Sequence, residues 1–175
     1  ASGQCIAAAQ HPEERDTPII ALQPGWAEQS PQMWWQHVQQ AIAKVVGQKK
    51  FNAKEIGAIG IAYQMHGLVL LDKSGQPLRN AIIWCDSRAV PYGEGAAQSI
   101  GANKCLEHLL NSPGNFTAAK LAWVKESEPQ VYKHIDKIML PGDYIAHCLT
   151  GQVTTSVSAL SEGIFWDFKK DDLSQ

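Results

Sequence analysis

Apolar positions along this chain fall into short continuous runs and into stretches where they recur every three or four residues. The two central runs, Ile56 to Ile61 and Gly67 to Leu71, each have the length of a buried strand, and their β-branched Ile and Val suit a pleated, packed surface. Shorter apolar runs at Gln4 to Gln10, Pro18 to Leu22, Ala81 to Trp84, Ile138 to Leu140 and Val153 to Val157 predict further strands. The first two of these are joined by the charged turn His11 to Thr17, as in a hairpin or meander. Helical spacing begins after the loop Gln23 to Ser30: Trp34, Val38, Ile42 and Val45 line one face of a helix that Ser30 caps, Pro31 opens and Gly47 closes. It resumes over Cys105 to Leu110, Thr117 to Glu126, Gln130 to His134 and Asp143 to Leu149, the last ended by Gly151. Asp72 to Gly75 reads as a tight turn between strands. Strands early, then strands alternating with helices, predict one α/β domain over residues 1–175, with a mixed sheet flanked by helices.

The central runs are separated by Tyr63, Gln64, Met65 and His66, polar or soft groups just where a buried strand runs out. Such groups on the end of a rigid element are how binding sites are built. Gly57, Gly60 and Gly67 weaken a strand unless a backbone or a ligand must come close. A neutral imidazole offers one donor and one acceptor, matching a hydroxyl that does both, so His66 is the leading candidate for binding. A histidine satisfied by a backbone carbonyl is the other reading. Gln64 fits a supporting amide or a brace for the strand end. Trp84, Asp86 and Arg88 fit an aromatic wall with an orienting ion pair, or a pair that holds its own loop. Asn115 either faces a ligand or shapes the turn at Gly114. Asp143 reads as a helix cap, Lys120 as a lysine with a packed stem and a solvated charge. Trp34 belongs to the core; Trp26, in a loop, caps the core or forms a wall.

Composition narrows the class. A chain of 175 residues with 45% hydrophobic and 18% charged positions is an ordinary globular domain able to bury a real core. A net charge of −2 carries no basic footprint, which argues against nucleic acid or an anionic membrane as partner. No apolar run is long enough to span a bilayer, and no charged leader with an apolar segment opens the chain, so neither a membrane span nor a secretion signal is expected. Cys5, Cys85, Cys105 and Cys148 are scattered, which points to a reducing cytoplasm rather than to disulfides or zinc. No two histidines stand at four-residue helical spacing, so no metal site is expected.

Four blocks then occur in order: Tyr63-Gln64-Met65-His66-Gly67, Ile82 to Arg88, Asn115 to Trp123, and Leu140-Pro141-Gly142-Asp143-Tyr144. Together they resemble the first domain of FGGY-family carbohydrate kinases, and the Gln-Met-His-Gly form is similar to xylulokinases. The resemblance implies a ribonuclease-H-like (actin-like ATPase) domain and transfer of the γ-phosphoryl of Mg-ATP to a primary hydroxyl of D-xylulose. It also implies that Met65 and His66 contact the ketose and that Gln64 and Asn115 assist; a homodimer is allowed. Phosphoryl transfer needs a backbone cradle for phosphates, a magnesium-holding carboxylate and a proton acceptor. The family's Asp-x-Gly-Thr loop and its Gly-rich segment with the catalytic aspartate are not in this sequence. ATP and Mg2+ are therefore expected to be bound mainly by segments outside the span, and no catalytic residue is assigned within it. Thr155-Ser156, followed by Ser158 and Ser161-Glu162, departs from the Thr-Asp of many relatives. Family members acting on ribulose, gluconate or glycerol are alternatives, as is a non-catalytic sugar-binding or actin-like module.

Overall fold

Leu68 to Leu71 is apolar at every position because both of its faces are covered. Leu68 and Leu70 pack with Ile82, Ala119, Trp123 and Val124, whereas Val69 and Leu71 pack with Ala81, Met139, Tyr144 and Ile145. Side chains alternate across a strand, so one four-residue run serves two cores. The computed structural model describes residues 3–14 and 17–174. Its elements run β1 (Glu28–Gln29), α1 (Pro31–Gly47), β2 (Val69–Leu71), β3 (Ala81–Ile82), α2 (Val90–Ile100), α3 (Ala102–Leu109), α4 (Thr117–Ser127), α5 (Pro129–Lys133), β4 (Lys137–Met139), α6 (Pro141–Thr150), α7 (Val157–Glu162), β5 (Trp166–Asp167) and β6 (Asp172–Leu173). Helix α4 covers one face of β2, and α1 and α6 cover the other.

α1 begins where the sequence places it: Ser30 Oγ accepts the amide of Met33 at 3.3 Å, and Pro31 needs no amide partner in the first turn. The turn after β2 is held by Asp72, whose Oδ1 accepts the amides of Ser74 and Gln76 at 2.8 and 3.0 Å.

The mixed sheet does not form among the described residues. The ladders β1 with β3, β2 with β4 and β5 with β6 are each two-stranded and antiparallel. A single bridge from Leu68 to Ile82 joins the two ladders, setting β1, β3, β2 and β4 edge to edge, and one from Ile20 to Glu28 places Ile20 beside β1. The runs Gln4 to Gln10 and Ile56 to Ile61 form no ladder, and Ile6, Ile56 and Ile59 are 62, 51 and 67% exposed. Apolar, β-branched content fits a strand, but a ladder also requires a partner edge, and none stands beside these two runs among the described residues. Of the charged turn between the first two expected strands, Arg15 and Asp16 lie outside the described residues. The strand expected at Val153 to Val157 gives way to α7, whose cap Ser156 accepts the amide of Ala159 at 3.1 Å.

Candidate functional site

Residues Gln64 to Gly67 connect the unladdered run at Ile56 to Ile61 with β2, and their geometry is set from outside. His66 has φ +61°, a left-handed conformation that a residue with a Cβ adopts at a cost of about 1–3 kcal/mol and holds only when its surroundings insist. Those surroundings are mainly Glu162, the last residue of α7. Its Oε1 accepts the His66 amide at 2.7 Å, and its main-chain oxygen lies 3.2 Å from His66 Nδ1. Its Oε2 accepts the Tyr63 hydroxyl at 3.4 Å. The ring of His66 meets Phe116 edge to face at 4.2 Å between centroids. Burial is the main cause that lowers the pKa of His66 below its ordinary value, opposed by Glu162 and aided by the charge of Lys120. The ring is therefore neutral near pH 7.

The ring of Tyr63 packs against Gly142 in the first turn of α6. A Cβ at Gly142 would overlap its ring, so glycine at that position is required by the approach. Burial, reinforced by the negative charge of Glu162 and Asp143, pushes the Tyr63 phenol up to about 12. Asp143 is not the N-cap residue of α6, although its carboxylate accepts the main-chain amide of the cap residue Leu140. The N-cap is Leu140, and Asp143 Oδ2 accepts the Thr155 hydroxyl at 2.9 Å from within the first turn. Burial raises the pKa of Asp143.

Met65 is 54% exposed beside His66. Gln64 acts as a brace: its Nε2 donates to Gln29 Oε1 at 3.3 Å, and its Oε1 accepts the amide of Trp84 at 3.5 Å. Trp84 itself is exposed. Asn115 donates through Nδ2 to the main-chain oxygen of Asp86, while its Oδ1 is buried without a hydrogen-bond partner among the described residues. Asn115 stands one residue before Phe116, and Thr117 donates to the main-chain oxygen of Gly67 at 3.4 Å, so the start of α4 is docked on the Met65–His66 turn. The structure thus brings Gln64, Met65, His66 and Asn115 into one neighbourhood, with Gln64 and the Asn115 amide engaged in holding loops.

Asp86 and Arg88 belong to a buried ion network. Arg88 donates Nε and Nη2 to the Asp86 carboxylate at 2.7–3.0 Å and Nη1 to Glu28 at 2.7 Å. Arg79 bridges Glu28 to Glu128. The Arg88 guanidinium lies 3.8 Å from the ring of Trp26 and 4.8 Å from that of Trp123. Trp26 is thus a lid on an arginine, and the pair that sequence left between two roles holds the fold. Lys120 is fully buried, contrary to a solvated charge: its Nζ donates to the main-chain oxygen of Asn115 at 2.6 Å. Its pKa falls to about 8, first because of burial, with Asp86 pulling the other way.

Glu162 is the residue that sequence reasoning missed. It stands 96 positions from His66, and no spacing rule links the two. The only trace is that Ser161-Glu162 lies in the stretch that departs from the family pattern. Among the described residues, no group of three or more His, Cys, Asp or Glu could hold a metal ion, and no helix is long and apolar enough to cross a membrane.

The whole of residues 1–175 matches the family model described as the N-terminal domain of the FGGY family of carbohydrate kinases. Over 146 residues the chain is 39% identical to a xylulose kinase of Bacillus subtilis, covering 81% of this chain and 28% of that protein. The crystal structure of a xyloylose kinase from Brucella ovis superposes with a TM-score of 0.81 at 30% identity, over 90% of this chain and 32% of the other. A gluconate kinase from Lactobacillus acidophilus superposes at 0.80 and 26% identity, over 91% and 32%. The chain therefore spans about a third of these relatives, in their N-terminal region of the actin-like class. It belongs to the FGGY family of carbohydrate kinases, as the N-terminal domain.

Proposed function

We propose that this domain forms the sugar-binding side of a kinase that transfers the γ-phosphoryl of ATP to D-xylulose, giving D-xylulose 5-phosphate. The observation that carries the reading is the Tyr63–His66 turn, an exposed thioether beside a neutral imidazole pinned in a left-handed conformation, set in a chain similar to xylulose kinases. Met65 offers an apolar contact to the carbons of a small sugar, and His66 a hydrogen bond to one of its hydroxyls. Asn115, whose buried Oδ1 is unsatisfied, is the second polar group at hand, and Gln64 steadies the turn.

In the reaction a sugar oxygen forms a bond to the γ-phosphorus, the bond from that phosphorus to the bridging oxygen of ADP breaks, and the hydroxyl proton passes to a base. Positioning the attacking hydroxyl is this domain's share. No group of three or more His, Cys, Asp or Glu among the described residues could hold a metal ion, and no step is routed through magnesium. The phosphate cradle and the base belong, in this reading, to other parts of a longer chain, which also cover the exposed runs Gln4 to Gln10 and Ile56 to Ile61.

The test is phosphorylation by the full-length protein of D-xylulose, D-ribulose, D-gluconate and glycerol. D-xylulose is expected to give the highest kcat/KM. A preference for gluconate, toward which the similarity to a gluconate kinase leans, reassigns the sugar, and no turnover of any of the four returns the chain to a binding module. In the same protein His66→Ala is expected to raise the sugar KM about tenfold or more and to leave the KM for ATP within about twofold. An unchanged sugar KM removes His66 from the site.

A further inference from the structure

Glu162 does more than close the fold. A main-chain carbonyl can only accept, so the 3.2 Å contact between His66 Nδ1 and the Glu162 oxygen places the ring proton on Nδ1. The ring is neutral at neutral pH, and Nε2 then carries the lone pair. The Glu162 carboxylate meanwhile takes the His66 amide at 2.7 Å and so locks the φ +61° conformation that aims the ring. Phe116 closes on the ring at 4.2 Å, and Tyr63, seated on Gly142, reaches the same carboxylate. One residue thus contacts the ring, the amide and the phenol of the turn, by two different acceptor groups.

We infer that Glu162 is the positioning residue of the sugar site: it holds His66 in the Nδ1–H form with Nε2 presented as a hydrogen-bond acceptor to a sugar hydroxyl. The assignment rests on the sugar-kinase reading for its ligand, but the relation between Glu162 and the His66 ring stands without it. It also narrows the chemistry. A hydroxyl that meets His66 must donate, so a sugar analogue with that hydroxyl replaced by fluorine, which cannot donate, loses the contact.

The test uses the full-length protein with 15N-labelled histidine. The imidazole nitrogens of His66, assigned by their loss in His66→Gln, are expected to show a protonated Nδ1 and a bare Nε2. The opposite tautomer overturns the inference whether or not any sugar is turned over. In kinetics, Glu162→Ala is expected to raise the sugar KM about tenfold with the ATP KM unchanged, by freeing the turn. Glu162→Gln, whose amide oxygen still accepts the His66 amide, is expected to recover most of that loss, to within about threefold of the parent. A merely structural role would lower Tm in both variants and leave the sugar KM alone, and that pattern overturns the proposal. Should Glu162→Ala fail to fold, Glu162→Asp, which keeps the charge and shortens the reach by one methylene, is expected to show the same rise in sugar KM. A parental KM in that variant refutes the role.

Discussion

Lys120 is the residue whose energetics are most exposed to experiment. It is buried beside α4's own start, with one strong acceptor in the Asn115 carbonyl and the charge of Asp86 nearby, and its pKa falls from 10.5 to about 8. The unfolded lysine keeps its proton up to the higher value, and the folded one releases it near the lower. Between about pH 8 and pH 10.5 the unfolded state therefore binds more protons, and this residue makes the protein more stable as pH rises through that window. At pH 7 the buried charge costs on the order of 3 kcal/mol relative to the unfolded chain. Lys120→Met, close in volume and uncharged, is expected to be more stable than the parent at pH 7, with the gap narrowing toward pH 10. Urea unfolding of both proteins at a series of pH values checks it, and parallel curves refute it. Sequence could not show this. Lys120 stands at a position where a stem along the helix and a solvated head are the ordinary outcome, and burial depended on Asn115 and Asp86 folding back over it.

At the level of elements, a strong local signal made α1 legible, whereas α7, despite its local cap Ser156, begins at the end of an apolar run that reads as a strand. Ser30-Pro31 announced α1 because a cap and a permitted proline act within one turn. α2, with Pro91, Gly93 and Gly95 among its residues, went unread because those residues weaken the helical pattern, and its Gly93 is required by close approach to Gly114 rather than by the helix. Strands fared worse, since Ile56 to Ile61 has every local mark of one but lacks a neighbouring edge to bond among the described residues. Met65-His66 marked the turn as a candidate from sequence, whereas its brace in α7 left no mark, because contact across 96 residues leaves no local pattern. The same packing gives a prediction for α6. Gly142→Ala pushes a methyl into the Tyr63 ring at the helix's first turn, and overpacking of that kind costs about 1–3 kcal/mol. Thermal unfolding is expected to show that loss and sugar kinetics a raised KM, because Tyr63 leads directly into His66. A variant with parental Tm and KM shows that the ring can move aside freely.

Across the whole molecule, two apolar runs stand open in a chain that spans about a third of its relatives. In the full-length protein the amides of residues 56–61 are expected to be protected from hydrogen exchange to about the same degree as those of β2, if the rest of the proposed kinase pairs with them. Exchange as fast as in the loop at residues 49–52 refutes this. The pinning of His66 by Glu162 carries a last consequence, for synthesis. A ribosome adding about 5–20 residues per second needs roughly 5–20 seconds to travel from His66 to Glu162. For that interval the nascent chain carries the imidazole without the carboxylate that aims it. A chain released early, short of α7, would emerge with its Tyr63–His66 turn slack, however well its strands had already collapsed.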